Sequence, residues 1–270
     1  MPEGHTIHRL AADYRERFGG RPVRADSPQG KFADGAALID GQTLTATEAH
    51  GKHLFLGFTG GASWAHIHLG LYGKVFFGTG PAPAPVGQVR LRLRNDDGYA
   101  ELRGPHTCAL ITPDERRAVV HRLGPDPLRA DADPERAWRR ISAGTSAVAA
   151  LLLDQAVIAG VGNVYRAEAL FRQGIDPHRP GRSLTRAEFD ALWADLAALM
   201  REGVRLGRID TVRPEHTPEA MGRPPRRDGH GGEVYVYRRT GAACHVCGGE
   251  VRTAALAARN LFWCPACQPR

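Results

Sequence analysis

Apolar positions near the start of the chain recur at helical spacing. Ile7, Leu10, Ala11, Tyr14 and Phe18 form one stripe, which predicts a helix over residues 4 to 17 that stops before Gly19-Gly20. From there to about residue 124 the helical period is lost. Short runs replace it, among them Leu54-Phe55-Leu56, Val75-Phe76-Phe77 and Val89-Arg90-Leu91-Arg92-Leu93, separated by glycine turns and by the stretch Pro81 to Val86. The pattern predicts a β-sandwich with one helix at its front. Gly124-Pro125-Asp126-Pro127-Leu128 reads as a linker. Helical periods return at about 134–141, 145–156, 163–172 and 185–201. Thr145 and Thr185 are candidate N-caps, and Glu188 completes a capping box with Thr185. Gly207 to Gly232, rich in Gly, Pro and Arg, reads as a loop, and Val234-Tyr235-Val236-Tyr237 predicts a strand over 233–239. The expected organisation is α+β: a sandwich domain at 1–124, a linker at 125–133, a helical domain at 134–232 and a cysteine-bearing module at 233–270.

Composition adds a partner class. The formal net charge is +7, and only three of the 36 basic side chains are lysines. An arginine-rich excess favours a polyanion such as nucleic acid, because the guanidinium fork fits phosphate. No apolar stretch is long enough to span a bilayer and no secretory leader is visible, so a cytosolic protein without a membrane partner is expected; a monomer is expected as well.

Four of the five cysteines fall in the last 27 residues, as Cys244-x-x-Cys247 and, 16 residues on, Cys264-x-x-Cys267. Two such pairs supply four thiolates for one tetrahedral zinc ion, and four sulfurs leave no open position for water, so the expected zinc is structural. Val251 to Phe262 between the pairs has room for two short strands and a tight turn. Met221 to Arg270 holds eight arginines and three acids, which is +5 of the total. A basic hairpin on a zinc base suits phosphate contacts. Cys108 stands apart and reads as a core thiol, and His66 and His68 as ordinary strand residues.

Met1-Pro2-Glu3-Gly4, Leu152-Leu153-Asp154-Gln155 running to Ala159-Gly160-Val161-Gly162-Asn163, and the four-cysteine module with Arg259 ahead of Phe262-Trp263-Cys264-Pro265 resemble three marks of the bacterial formamidopyrimidine-DNA glycosylase and endonuclease VIII family. They stand in the family's order across the whole chain. Met1-Pro2-Glu3-Gly4 and Leu71-Tyr72-Gly73 look like the endonuclease VIII versions. The resemblance implies a helix–two-turn–helix, a zinc finger, damaged DNA as partner, and a bifunctional glycosylase and AP lyase that removes oxidised bases, pyrimidines preferred, with β- and δ-elimination.

The resemblance also implies roles. With Met1 removed, Pro2 offers a secondary amine; α-amines ordinarily titrate at about 7.7–8.0, which leaves a fraction unprotonated at neutral pH, and the resemblance implies that this one forms a Schiff base with the damaged nucleoside. Glu3 handles protons near the sugar ring oxygen. Lys52, in a Gly-Lys turn, holds phosphate beside the lesion. Asn163 and Arg259 contact backbone phosphates, and Leu71 and Tyr72 fill the gap left by the extruded base. Three positions depart from the family: Thr6 replaces a common glutamate, His5 replaces the usual proline, and Gly70 replaces a polar side chain. The rival readings are a non-catalytic, zinc-dependent nucleic-acid-binding protein on the same scaffold, and a zinc-stabilised interaction module.

Overall fold

Apolar residues in the first part of the chain fall in short runs, and among the described residues these form eight strands in two sheets. The computed structural model describes residues 2–60, 63–227 and 232–269. It divides into unit 1, Met1–Arg122, and unit 2, Leu123–Arg270. No helix among the described residues is long and apolar enough to cross a membrane.

Unit 1 opens with α1 (Gly4–Phe18), followed by β1 (Arg24–Asp26), α2 (Ala33–Ile39), β2 (Leu44–His50), β3 (His53–Phe58), β4 (Trp64–His68), β5 (Lys74–Thr79), β6 (Val89–Arg94), β7 (Gly98–Arg103), β8 (Thr107–Ile111) and α3 (Pro113–His121). One antiparallel sheet has the order β2-β3-β4-β8, the other β1-β6-β7-β5. Leu54, Leu56, Ala65 and Ile67 of the first sheet pack with Leu91, Leu93, Ala100 and Leu102 of the second, and the stripe of α1 closes the same core. The other face of β3 is covered as well, which is why Leu54-Phe55-Leu56 is an unbroken apolar run. There Arg116 of α3 lies over Phe55 and Trp64 and pairs with Glu48. β5 and β6 both run antiparallel to β7, so residues 80–88 must cross between opposite ends of the sheet. Pro83 of this crossover accepts a hydrogen bond from Arg92, and Arg92 with Arg103 neutralises the fully buried Glu101.

Unit 2 contains α4 (Pro134–Ser142), α5 (Val148–Leu151), α6 (Asn163–Arg172), α7 (Arg186–Leu206), α8 (Pro218–Met221), β9 (Arg252–Leu256) and β10 (Arg259–Trp263). Its core joins Tyr165, Leu170, Phe189, Leu196 and Met200 of the helices to Val251, Leu261, Phe262 and Cys264 of the cysteine module. Gly124 and Pro125, expected in a linker, are buried and bonded to Gln155 and Ala159 of this unit.

Four expectations about elements need correction. The helix expected over 145–156 is one turn, Val148–Leu151, capped by Ala147 and not by Thr145. The strand expected at 233–239 does not form, because its backbone N–H groups are claimed by a side chain, as shown below. Unit 1 has two helices beyond the one expected at its front. One is α2, which buries only Ala36 and Ile39; the other is α3, which buries no residue and so shows no apolar stripe. Within the loop expected at 207–232 lie a single 3-10 turn and α8, while residues 228–231 fall outside the described set.

Candidate active site and metal centre

In unit 1 the candidate groups cluster at element ends. Pro2, half-buried, directly precedes α1, and Glu3 is its N-cap residue. Glu3 is 0% exposed. The positive end of the helix dipole favours a carboxylate there. Met1, whose removal frees the Pro2 amine, lies outside the described residues. The two departures beside it pair with each other: Thr6 Oγ1 lies 3.2 Å from His5 Nε2. Burial pushes the His5 imidazole down to about 4, so the pair is neutral where a glutamate would add charge.

Lys52 sits in the β2–β3 turn behind Gly51, whose φ of 58° requires the left-handed region. Its charge helps hold the His68 imidazole below its ordinary value, after burial and alongside His106. His68 and His66 are strand residues, as expected, yet they belong to a larger set that the sequence did not reveal. His53 Nδ1 lies 2.8 Å from His66 Nε2, and the His53 ring also packs near His68 at 5.0 Å. Burial, with the neighbouring imidazoles and Arg122, lowers His53 to about 3; burial, with His68 and Arg122, lowers His66 to about 4. His53, His66 and His68 are therefore neutral rings at neutral pH, with Lys52 acting on His68 and Arg122 on the other two.

The β4–β5 loop carries Leu71 and Tyr72, 44% and 84% exposed. Gly73 N–H closes the loop on Leu69 O at 3.0 Å, and a Cβ at Gly73 would meet that oxygen at 2.3 Å. Gly70 has φ +67°, and a Cβ there would lie 2.8 Å from the His106 Cβ. His106 thus occupies the space a side chain at Gly70 would need. Two bulky side chains remain projected into solvent by a loop pinned at both ends.

In unit 2 the structure brings Asn163 to the hairpin. Asn163 is the first residue of α6, with Gly162 as the N-cap. Its Nδ2 donates to Asn260 O at 2.9 Å, beside the exposed Arg259. Sequence reasoning missed what holds this contact. Arg166, 0% exposed, donates to Asn163 Oδ1, to Asn260 O at 3.3 Å and to Ala149 O at 3.3 Å. Asn163 is thereby fixed with its amide nitrogen toward the hairpin. Glu168, also 0% exposed, accepts from Thr211 Oγ1 at 2.6 Å and from the N–H groups of Tyr235, Val236 and Tyr237 at 2.7, 2.9 and 2.8 Å. Three consecutive N–H groups converging on one carboxylate cannot also form a strand ladder, which explains the missing strand at 233–239. A signal was present: from Val164 to Phe171 α6 is apolar on every side, so the two charges within that stretch, Arg166 and Glu168, have to lie inside.

The four cysteines meet in one cluster, with sulfur atoms all within 4.8 Å of one another. Cys244 and Cys267 sulfurs are 3.8 Å apart and those of Cys247 and Cys264 are 3.5 Å apart. A tetrahedral zinc ion with Zn–S near 2.3 Å places its sulfurs about 3.8 Å apart. The donor set and spacing fit one structural Zn2+. Val246 and Gly249 N–H groups point at Cys244 and Cys247 sulfurs, as suits thiolates. Gln268, nearly fully buried, accepts from Cys264 N–H at 3.0 Å and donates to Ile175 O at 2.9 Å. It ties the second cysteine pair to the helices. Cys108 lies apart in β8, where burial pushes its thiol up to about 12 and leaves it unreactive at neutral pH.

Comparison with known proteins gives the same three parts in the same order. The formamidopyrimidine-DNA glycosylase N-terminal domain matches residues 1–109, the formamidopyrimidine-DNA glycosylase H2TH domain 123–214, and the zinc finger found in FPG and IleRS 241–270. Endonuclease 8 1 of Mycobacterium tuberculosis is 52% identical over 272 residues, covering 99% of this chain and 100% of the relative. Probable endonuclease 8 2 of Streptomyces coelicolor is 35% identical, covering 99% and 94%. The fold matches that of Lactococcus lactis Fpg in complex with DNA containing an abasic site, at TM-score 0.78 and 22% identity, covering 99% of this chain and 100% of that one. It also matches the same protein bound to DNA containing an oxidised pyrimidine, at TM-score 0.79 and 22% identity over 100% of both chains.

Proposed function

The chain belongs to the formamidopyrimidine-DNA glycosylase/endonuclease VIII family of bifunctional DNA glycosylases and AP lyases, and we propose that it excises oxidised bases through the secondary amine of Pro2. The observation that carries this reading is the pairing of Pro2 with a wholly buried Glu3 at the positive end of α1. The Pro2 nitrogen attacks C1′, the bond from C1′ to the base breaks, and the base departs with the electron pair and takes up a proton. The attacking nitrogen gives up its proton, the C1′–O4′ bond then breaks as the ring oxygen takes up a proton, and the resulting ring-opened iminium is an electron sink. Loss of a C2′ proton then expels the 3′ oxygen, and a second elimination expels the 5′ oxygen. Glu3 moves protons at the sugar ring, and Lys52 holds a phosphate beside it. Asn163 and Arg259 take backbone phosphates on a zinc-supported hairpin. Leu71 and Tyr72 occupy the vacated stack. The enzyme acts as a monomer on nucleoid DNA.

Borohydride reduction tests the mechanism. Protein whose mass shows Met1 removed is expected to be trapped covalently on abasic DNA through Pro2, whereas Met1-bearing protein, with an amide at that nitrogen, is not. Trapping of Met1-bearing protein through Pro2 would end the reading; a mature protein that binds but never traps points to the non-catalytic alternative. For the base, the 52% identity to an endonuclease 8 and the exposed Leu71-Tyr72 pair favour oxidised pyrimidines. Dihydrouracil and thymine glycol should be released faster in single turnover than 8-oxoguanine opposite cytosine. The reverse order overturns the pyrimidine preference and leaves Pro2 untouched.

A further inference from the structure

We propose that α4 carries a phosphate-binding site of its own, by which unit 2 grips the DNA backbone at a second place besides Asn163 and Arg259; the proposal rests on the reading that DNA is the substrate. Ala137 and Ile141 face the core, and the solvent side of the helix presents Arg136, Arg139 and Arg140. These three arginines and Ala156 line an open recess of about 250 Å³.

Their partners are all backbone carbonyls. Arg136 donates to Leu123 O at 3.2 Å, Arg139 to Glu135 O at 3.4 Å and Arg140 to Ala156 O at 2.9 Å. Among the described residues no carboxylate pairs with any of them. Most other arginines nearby are matched: Arg129 with Asp131, Arg179 with Glu188, Arg172 with Asp195. The one carboxylate of α4, Glu135, is taken by Arg186 at 2.6 Å. Each guanidinium has five N–H donors, so most point to solvent.

A purely structural role does not account for the set. Arginines in the last turn offset the helix dipole, which covers Arg139 and Arg140. Arg136 sits in the first turn, where a cation is disfavoured, and it stands three and four residues from the other two, where like charges repel. An anion between them reverses both penalties. The recess has no aromatic wall on which a base could stack, and its lining is almost wholly guanidinium, so a phosphodiester is the fitting occupant. Ala156 belongs to the segment between α5 and α6 that leads to Asn163, so both sites lie along one stretch of chain.

The test is the salt dependence of binding to a duplex containing an abasic-site analogue. The variant Arg136→Gln, Arg139→Gln, Arg140→Gln should bind about tenfold more weakly at 0.1 M salt, with a slope of log affinity against log salt shallower by about 1 to 2. The corresponding triple lysine variant should keep most of the wild-type slope, since the charge remains. Zinc content and thermal unfolding verify that both variants are folded. A glutamine variant, folded and zinc-loaded, that matches the wild-type slope and affinity overturns the proposal, and an acidic protein segment then becomes the better occupant. Wild-type protein that shows no affinity for the lesion duplex sinks the underlying reading instead.

Discussion

Pro2, Glu3 and Lys52 of unit 1 sit at the ends of elements whose interiors are apolar, whereas Asn163 and Arg259 of unit 2 depend on two buried charges and a metal cluster. In unit 1 the core between the sheets is built from Leu, Ile, Ala and Phe, the buried Arg92–Glu101–Arg103 cluster lies within a single sheet, and the histidines His5, His53 and His66 are kept neutral. In unit 2 the charged Arg166 and Glu168 lie at the centre and hold backbone groups of segments far away in sequence. The contrast matches the tasks proposed for the two. An amine nucleophile needs a rigid, low-charge setting that does not repel its own iminium. A phosphate grip needs fixed donors, and buried polar networks specify one arrangement more sharply than apolar packing does.

Breaking the metal cluster should separate the units most strongly. Cys264→Ser removes one of four thiolates from a buried position in the unit 2 core. Zinc binding in such modules is folding free energy, on the order of 10 kcal/mol. The variant should lose its zinc by metal analysis, and DNA affinity should fall by about 10- to 100-fold, the worth of a charge-assisted contact of about 1.5–3 kcal/mol. The unfolding transition of unit 1 should stay where it was. Native protein that binds no zinc would refute the assignment of the cysteines.

Next in size is the buried carboxylate. Glu168→Gln replaces an acceptor oxygen by an NH2 group facing donors at 2.6–2.9 Å. The loss of charge-assisted bonds and the donor–donor conflict should cost about 3 kcal/mol, seen as a lower unfolding midpoint for unit 2 alone. A cost below about 0.5 kcal/mol, the size of an ordinary surface change, would mean that the Glu168 nest does not organise residues 235–237.

These two positions also show what the sequence could and could not carry. Helix α1, the strands of the sandwich and the cysteine spacing were legible, since each follows from a local pattern. Helix α3 was missed, although Thr112-Pro113-Asp114-Glu115 spells a proline at the first helical position inside a capping box, and that box forms. Val234-Tyr235-Val236-Tyr237 was misread as a strand because alternation describes side chains, while the partner that takes the N–H groups lies 67 to 69 residues away. The histidine set was illegible for the same reason: His53 meets His66 only through strand register.

Acid should act on the other unit. His53 and His66 have values of about 3 and 4 in the folded chain, against an ordinary 6.5. Below 6.5 the unfolded chain binds protons that the folded chain refuses, so stability present above that value is lost as pH falls toward 4. Because His53 is partly exposed, the two together should cost unit 1 about 2 kcal/mol between pH 7 and pH 5. The midpoint of the unit 1 transition, followed across this range at fixed salt, reports the loss, and His66→Phe should shrink it. An unchanged midpoint would show that the pair is protonated at little cost and that neutral rings are not a property of the folded unit.

The smallest expected effect lies at the hairpin tip, where the two modes of support meet. The register Arg259↔Leu256 leaves a two-residue turn, Ala257-Ala258, with φ of 53° and 56°. Both residues occupy the left-handed region that this turn demands and that Asn-Gly fills with least strain. An alanine in that region costs about 1–2 kcal/mol, and a glycine returns part of the gain as chain entropy. Ala257→Asn with Ala258→Gly should therefore stabilise zinc-loaded unit 2 by about 1 kcal/mol, raising its midpoint by a few degrees. Zinc, together with Phe262 and Leu261 in the core, holds the strands against this strain, so the gain should be larger in protein stripped of metal, where the turn must nucleate the hairpin unaided. An equal gain with and without zinc would mean that metal and turn act independently, and that Arg259 is placed by the strands alone.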